Sequence, residues 1–231
     1  MLKKIGIFGG TFDPIHNGHL GIARDLTDHL QLDRVHLVPC HNPPHRPSPK
    51  VTSQQRFAMV EGAIANTSGF VADRRELINS SSSYSIDTIE SFRREYGNDT
   101  ALYFFMGMDS LISFSSWYRW QDFLDLCHIV IAARPGSSPP PKDSVIGKYY
   151  QLHQTDNTAV LSTSSLTSSL LTSKTHGYMT ILPTTPLNIT ASDIRSQIAA
   201  GIKPRNKITE PVWSYIKEYG LYNYTEQTTA Q

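Results

Sequence analysis

Two histidines, His16 and His19, lie three residues apart around Gly18, directly after the run IGIFGGTFDPI. Residues three apart at a helix start share a face, so both imidazoles can offer N–H donors to one pocket. Ahead of them an apolar strand pattern ends at Gly9, Gly10 and Thr11, followed by Phe12. Glycine lets backbone approach an oxyanion with no Cβ in the way, and the first turn of a helix adds N–H groups and partial positive charge. Phosphate oxygens fit such a junction, which suits chemistry on a nucleotide phosphate. Neither GxGxxG nor GxxxxGK(S/T) occurs there, which sets it apart from the familiar dinucleotide and P-loop turns. Taken as an isolated pair, the histidines would sooner mark a plain, tight strand-to-helix connection.

Other candidates are scattered along the chain. Arg195 ends the string Ile189-Thr190-Ala191-Ser192-Asp193-Ile194-Arg195, where a forked guanidinium and helix N–H groups could clamp phosphates. A lone arginine there would otherwise be a solvated helix residue. His45 and Arg46 follow Asn42-Pro43-Pro44, a stiff loop that either presents cations to a ligand or is an exposed basic turn. Asp109 follows the apolar run LYFFM at a strand's carboxyl end, where ligand contacts belong, and could equally cap the next helix. Trp117 and Tyr118 could stack on a ring, although tryptophan is more often a core aromatic. From another class of chemistry, His16, His19, His41 and His45 could form a metal centre for hydrolysis, provided they converge and leave an open position for water.

An α/β framework has to carry these residues. Residues 4–8 read as a buried strand, and Leu20, Ala23, Leu26 and Leu30 recur at helical spacing after it. Arg34 to Pro39, Phe70 to Ala72, Leu102 to Met106, His128 to Ala133 and Tyr178 to Leu182 read as further strands. Between them, Thr52-x-x-Gln55 is a capping box opening a helix with Phe57, Val60 and Ile64 on one face, and Ser85 caps a helix marked by Ile86, Ile89 and Phe92. Trp120 to Cys127 reads as a brief helix, and helices over Ala191 to Ala200 and Glu210 to Tyr219 end at Gly201 and Gly220. This alternation predicts a Rossmann-like, doubly wound parallel sheet with a small C-terminal helical part and a ligand crevice at the strands' carboxyl ends. We expect one domain over 1–224, with 136–175 a variable Ser/Pro-rich insertion, 190–224 the helical part and 225–231 a tail.

Composition narrows the partners. Acids and bases nearly cancel, at 20 and 21 for a net charge of +1, so no global field recruits nucleic acid or an anionic membrane. Small-molecule substrates are favoured. Cys40 and Cys127 fall in no metal or redox spacing and read as reduced thiols of a cytoplasmic protein. The apolar run after Lys3 and Lys4 breaks at Gly9 and reaches Asp13, too short for a signal sequence or a membrane span.

Taken together, GGTFDPIHNGHL resembles the signature of the nucleotidyltransferase superfamily, (T/S)-x-x-x-H-x-G-H, through Thr11, His16, Gly18 and His19, with one additional residue after Thr11. Asn42 to Arg46, Ser83-Tyr84-Ser85, Gly107 to Leu111, Trp117-Tyr118, Arg134-Pro135 and Ile189 to Arg195 are similar, in order and approximate spacing, to the bacterial nicotinate mononucleotide adenylyltransferase family. The resemblance covers nearly the whole chain outside 136–175. It implies transfer of the adenylyl group of ATP to nicotinate mononucleotide, giving nicotinate adenine dinucleotide and pyrophosphate, with Mg²⁺ accompanying ATP and no protein-held metal.

Carried over to this chain, the resemblance assigns His16, His19 and Arg195 to catalysis. Gly9, Gly10, Thr11, Phe12, Gly18, Arg134, Thr190 and Ser192 join them in binding ATP and its phosphates. His45, Arg46, Ser85, Asp109, Trp117 and Tyr118 fall to the mononucleotide, with backbone N–H groups near 85 and 118 reading the nicotinate carboxylate. Two departures stand out: Ser85 replaces the usual threonine, and Thr190-Ala191-Ser192 replaces the usual Ser-Ser/Ala-Thr, which leaves the individual hydroxyl roles open. Asn42 to Arg46 and Trp117-Tyr118 argue against pantetheine-phosphate adenylyltransferases and glycerol-phosphate cytidylyltransferases. The absence of a KMSKS-like loop argues against aminoacyl-tRNA synthetases, and the intact histidines and Arg195 motif argue against a non-catalytic nucleotide sensor. Oligomeric state is not legible.

Overall fold

The computed structural model describes residues 2–41, 49, 51–78, 84–133, 136–155, 173–185 and 187–225. Six strands, β1 (Lys3–Gly10), β2 (Arg34–Pro39), β3 (Phe70–Ala72), β4 (Thr100–Gly107), β5 (His128–Ala133) and β6 (Met179–Pro183), form one sheet in the order β3-β2-β1-β4-β5-β6. Strand β1 runs parallel to β4, β4 to β5 and β5 to β6: Phe8 pairs with Phe105, Phe104 with Ile129 and Ile131 with Ile181. The doubly wound parallel architecture read from the sequence is therefore the one observed. In such a sheet the winding reverses between β1 and β4, and ligands characteristically bind beyond the carboxyl ends of the strands at that point.

Two compact units divide the chain: Met1–Gly9, Ile22–His36 and Tyr84–Pro186 make the first, and Gly10–Gly21, Leu37–Ser83 and Leu187–Gln231 the second. The first is built on β4, whose Ala101 to Met106 are all buried, the continuous apolar run expected of a strand covered on both faces. Helix α4 (Ser85–Tyr96) buries Ile86, Ile89 and Phe92, as its periodicity predicted. Its N-cap is Tyr84, so Ser85 is the first helical residue and the expected cap is displaced by one position. Helices α5 (Met108–Ile112) and α6 (Phe123–Leu126) are short, and a 3-10 turn precedes α6 where a single brief helix was expected. The 136–175 stretch holds a helix the sequence reading missed, α7 (Val145–His153), capped by Ser144 accepting from Gly147 N–H; residues 156–172 lie outside the described set.

The second unit packs α2 (Ser53–Ile64), α3 (Arg75–Ile78), and the C-terminal helices α8 (Ala191–Ala199) and α9 (Glu210–Glu218). Thr52 and Gln55 make the expected reciprocal capping box at α2. Helix α1 (Asn17–Leu30) starts in this unit and ends in the first.

One buried histidine makes stability depend on pH. His128, fully buried, stacks between Tyr103 and Tyr178; its Nδ1 accepts from Tyr178 N–H at 3.3 Å, and its Nε2 lies 3.0 Å from Lys174 O. That pattern assigns the neutral ring with the proton on Nε2. Burial pushes its pKa down to about 4 from an ordinary 6.5. Between those values the unfolded chain holds the extra proton, so stability falls as pH drops through that window, by on the order of 3 kcal/mol when complete. Urea unfolding at pH 7.5 and pH 5 should show this loss in the wild type and a flatter dependence in His128→Gln. Equal dependence in both proteins would refute the assignment.

Candidate active site

The two signature histidines cap their own helix. His16 immediately precedes α1 and is buried at 3 % exposure; its Nδ1 accepts from His19 N–H, and His19 Nδ1 accepts from His16 N–H, each at 3.3 Å. This is a capping box made of imidazoles, with His16 in the place of the usual Ser/Thr and His19 in that of Glu/Gln. The rings stack at 3.7 Å between centroids and 22°. Because each Nδ1 receives a backbone N–H, each neutral ring carries its proton on Nε2 and so acts as a donor at its outer edge.

Gly18 is explained by this pair, since a Cβ there would stand 3.0 Å from His16 Nδ1. Phe12, with a left-handed φ of 48°, sets its buried ring edge-on to His19 at 5.1 Å, and a Cβ on Gly10 would stand 3.0 Å from that ring. Gly10 and the Phe12 side chain thus buttress His19. Gly9 differs: the nearest atom to its would-be Cβ is a Phe104 ring carbon at an ordinary 3.8 Å. Not every donor at the α1 start faces outward, because Asn17 N–H is taken by Lys207 O at 2.8 Å and His19 N–H by His16.

Arg195, on α8, is held in the same unit. Its Nη1 donates to Asp13 O at 2.7 Å and its Nη2 to Ser192 Oγ at 3.3 Å. Thr190 is the N-cap, its side chain accepting from Asp193 N–H at 3.1 Å. The two hydroxyls therefore divide: Thr190 shapes the helix start, and Ser192 touches the arginine.

A residue the sequence reading passed over braces this region. Arg56 of α2 is 1 % exposed and donates through Nη1 to Thr11 O at 2.5 Å and through Nη2 to Cys40 O at 2.6 Å and His41 O at 3.2 Å. It ties the loop after β1 to the loop after β2. Its signal was its place among buried positions 53, 57, 60 and 64, where a solvated arginine would not sit.

In the first unit, Trp117 is half-buried and packs edge-on against Phe104, Phe114 and Phe123 at 5.6 to 6.3 Å, so it belongs in part to the core. Tyr118 is 52 % exposed and lies 4.7 Å from the Tyr84 ring, beside Ser85. The turn is pinned by Arg119, left-handed at φ 51°, which pairs with Glu90 of α4 at 2.9 Å and Asp122 at 2.7 Å. Those two carboxylates hold the guanidinium pKa above its ordinary value, Asp122 foremost. Asp109 is exposed in the first turn of α5, and the cap position its neighbours left open is filled by Gly107. His45, Arg46 and Arg134 lie outside the described residues. Among the described residues no three His, Cys, Asp or Glu side chains gather to hold a metal; His41 Nδ1 instead lies 2.9 Å from Ser53 Oγ.

A model of the Cytidylyltransferase-like family matches residues 7–197. The probable nicotinate-nucleotide adenylyltransferase of Aeromonas salmonicida is 43% identical over 223 residues, covering 96% of this chain and 99% of that protein. Its counterpart in Pseudomonas fluorescens is 37% identical over 222 residues, covering 96% and 98%. Among solved structures, the nicotinic acid mononucleotide adenylyltransferase of Plasmodium falciparum complexed with NaAD aligns with a TM-score of 0.69 at 17% identity, over 96% of this chain and 98% of that one. A putative nicotinate-nucleotide adenylyltransferase from Vibrio parahaemolyticus aligns at 0.62 and 17%, over 96% and 97%. At such identities these structures speak for the fold alone.

Proposed function

Since the chain belongs to the Cytidylyltransferase-like family, we propose that it transfers the adenylyl group of ATP to nicotinate mononucleotide, releasing pyrophosphate and forming nicotinate adenine dinucleotide for NAD biosynthesis. The observation that carries this reading is the interlocked His16–His19 pair, two Nε2–H donors fixed by their own helix start. The attacking 5′-phosphate is already an anion, so no strong general base is required. What the reaction needs is two anions held in line and donors aimed at charge that moves onto pyrophosphate. His16 and His19 supply those donors to the reacting phosphates. Arg195, steadied by Ser192, takes the β- and γ-phosphates by charge-assisted bonds, with the start of α8 beside it. Magnesium enters as part of the MgATP substrate, carried by the phosphate oxygens.

The pyridine end of the acceptor falls to residues of the first unit. Ser85 opens α4, whose first N–H groups and positive end suit a carboxylate, and Trp117 and Tyr118 offer ring faces. His45, Arg46 and Asp109 complete the mononucleotide contacts in this reading, and Arg134 those to ATP. Cys40 and Cys127 are free thiols, in keeping with the cytoplasmic setting of this reading, and no helix among the described residues is long and apolar enough to cross a membrane.

Purified protein given MgATP and nicotinate mononucleotide should release pyrophosphate, and far more slowly with nicotinamide mononucleotide, whose amide uses anion-directed donors poorly. Equal rates with both acceptors would remove the carboxylate reading. No pyrophosphate with either would remove the function.

A further inference from the structure

Asp13 sits in the signature loop between two partners that compete for it. Its Oδ1 accepts from the Tyr222 hydroxyl at 2.8 Å, while its Oδ2 lies 3.8 Å from Arg195 Nη1, short of a closed ion pair. The same Nη1 rests on the Asp13 backbone carbonyl at 2.7 Å. Arg195 is therefore placed by a neutral carbonyl and the Ser192 hydroxyl, with the neighbouring carboxylate turned toward a phenol. The backbone enforces the arrangement: Phe12, next to Asp13, has φ 48°, and Tyr222 and Asn223 both have φ 59°, three left-handed residues that are not glycine. Such conformations persist only where the surrounding structure overrides their cost. Burial beside Asp13 raises the Tyr222 pKa, which keeps the phenol protonated and therefore a donor. Buried Arg56 adds its field to both Asp13 and Tyr222.

We propose that Tyr222 is a positioning residue for the phosphate clamp: its hydroxyl holds the Asp13 carboxylate off Arg195, leaving the guanidinium charge to the triphosphate of ATP. Freed of the phenol, the carboxylate would close on Arg195 as a forked pair and compete directly with the phosphates. A residue 209 positions from its partner, near the end of the chain, thus tunes a side chain it does not touch. This rests on the reading of Arg195 as an ATP ligand, and the test separates the two.

Steady-state pyrophosphate release, with MgATP and nicotinate mononucleotide varied in turn, should show Tyr222→Phe raising KM for MgATP about five- to tenfold while KM for the mononucleotide stays within about twofold. In an Asp13→Asn background, where no carboxylate remains to close, the same substitution should cost less than about twofold. A merely structural hydroxyl would lower the melting temperature and leave KM for MgATP unmoved, which would overturn the proposal, as would an undiminished penalty in the Asp13→Asn background. Should Tyr222→Phe not fold, Asp13→Asn alone decides: KM for MgATP at or below wild type supports competition, and a clear rise overturns it. Arg195→Ala is the control on the reading beneath. If it leaves KM for MgATP unchanged, the Arg195 assignment falls; if it raises KM and Tyr222→Phe does not, only the present proposal falls.

Discussion

His19→Ala should lower kcat by about a hundred- to a thousandfold, the loss expected on removing one preorganised donor to a charge-developing oxygen, with KM for both substrates changed by less than about threefold. The alanine variant alone conflates two losses. Removing the imidazole takes away the Nε2–H donor, and it also strips His16 N–H of its acceptor and the His16 ring of its stacking partner. Two further variants separate them. Asparagine places a carbonyl oxygen near the Nδ1 position, so His19→Asn keeps the reciprocal cap and loses the outer donor. Glutamine is the usual capping-box residue at this position, so His19→Gln keeps the reciprocal cap through its carbonyl oxygen and also carries an amide N–H donor. Both should therefore melt near the wild type, asparagine turning over as poorly as alanine and glutamine retaining more activity. Turnover of His19→Ala within about threefold of wild type would remove His19 from catalysis.

How much of this was legible in the sequence differs from residue to residue for physical reasons. Strands β2, β3 and β5 emerged with their observed ends, because apolar runs bounded by turn residues are local signals. The Thr52–Gln55 box was local as well. The His16–His19 box has the same spacing, yet it was read only as two donors sharing a face, because imidazoles are not the residue types that mark a capping box. Helix α7 went unread because three prolines precede it and Gly147 interrupts it. The glycine is a tertiary requirement: a Cβ there would stand 1.9 Å from Pro141 O. Ser85 and Asp109 were placed correctly at their junctions, but the caps are Tyr84 and Gly107, neither of which donates or accepts through a side chain there. No local pattern could join Asp13 to Tyr222 or Arg56 to Thr11, pairs separated by 209 and 45 residues.

Arg56→Met should destabilise the fold by about 3 kcal/mol or more, a fall in melting temperature on the order of 10 °C for a chain of this size. Two effects oppose each other. The buried guanidinium is costly: desolvation lowers its pKa, and its Nε has no hydrogen-bond partner among the described residues. Methionine, of similar length and apolar, relieves that cost, and where both members of a buried polar pair are replaced such exchanges are often neutral. Here the other members are the backbone carbonyls of Thr11, Cys40 and His41, which no side-chain substitution removes. Methionine takes the donor away from three part-buried carbonyls at once, and that penalty exceeds the relief. Lysine should recover only part of the loss, because one ammonium cannot reproduce a rigid fork that reaches two loops at once. Since Thr11 leads directly into Phe12 and His19, kcat measured well below the melting temperature should fall as well. Urea denaturation decides the energetic claim: a loss below about 1 kcal/mol in Arg56→Met would mean that the loops find other donors and that Arg56 is not their brace.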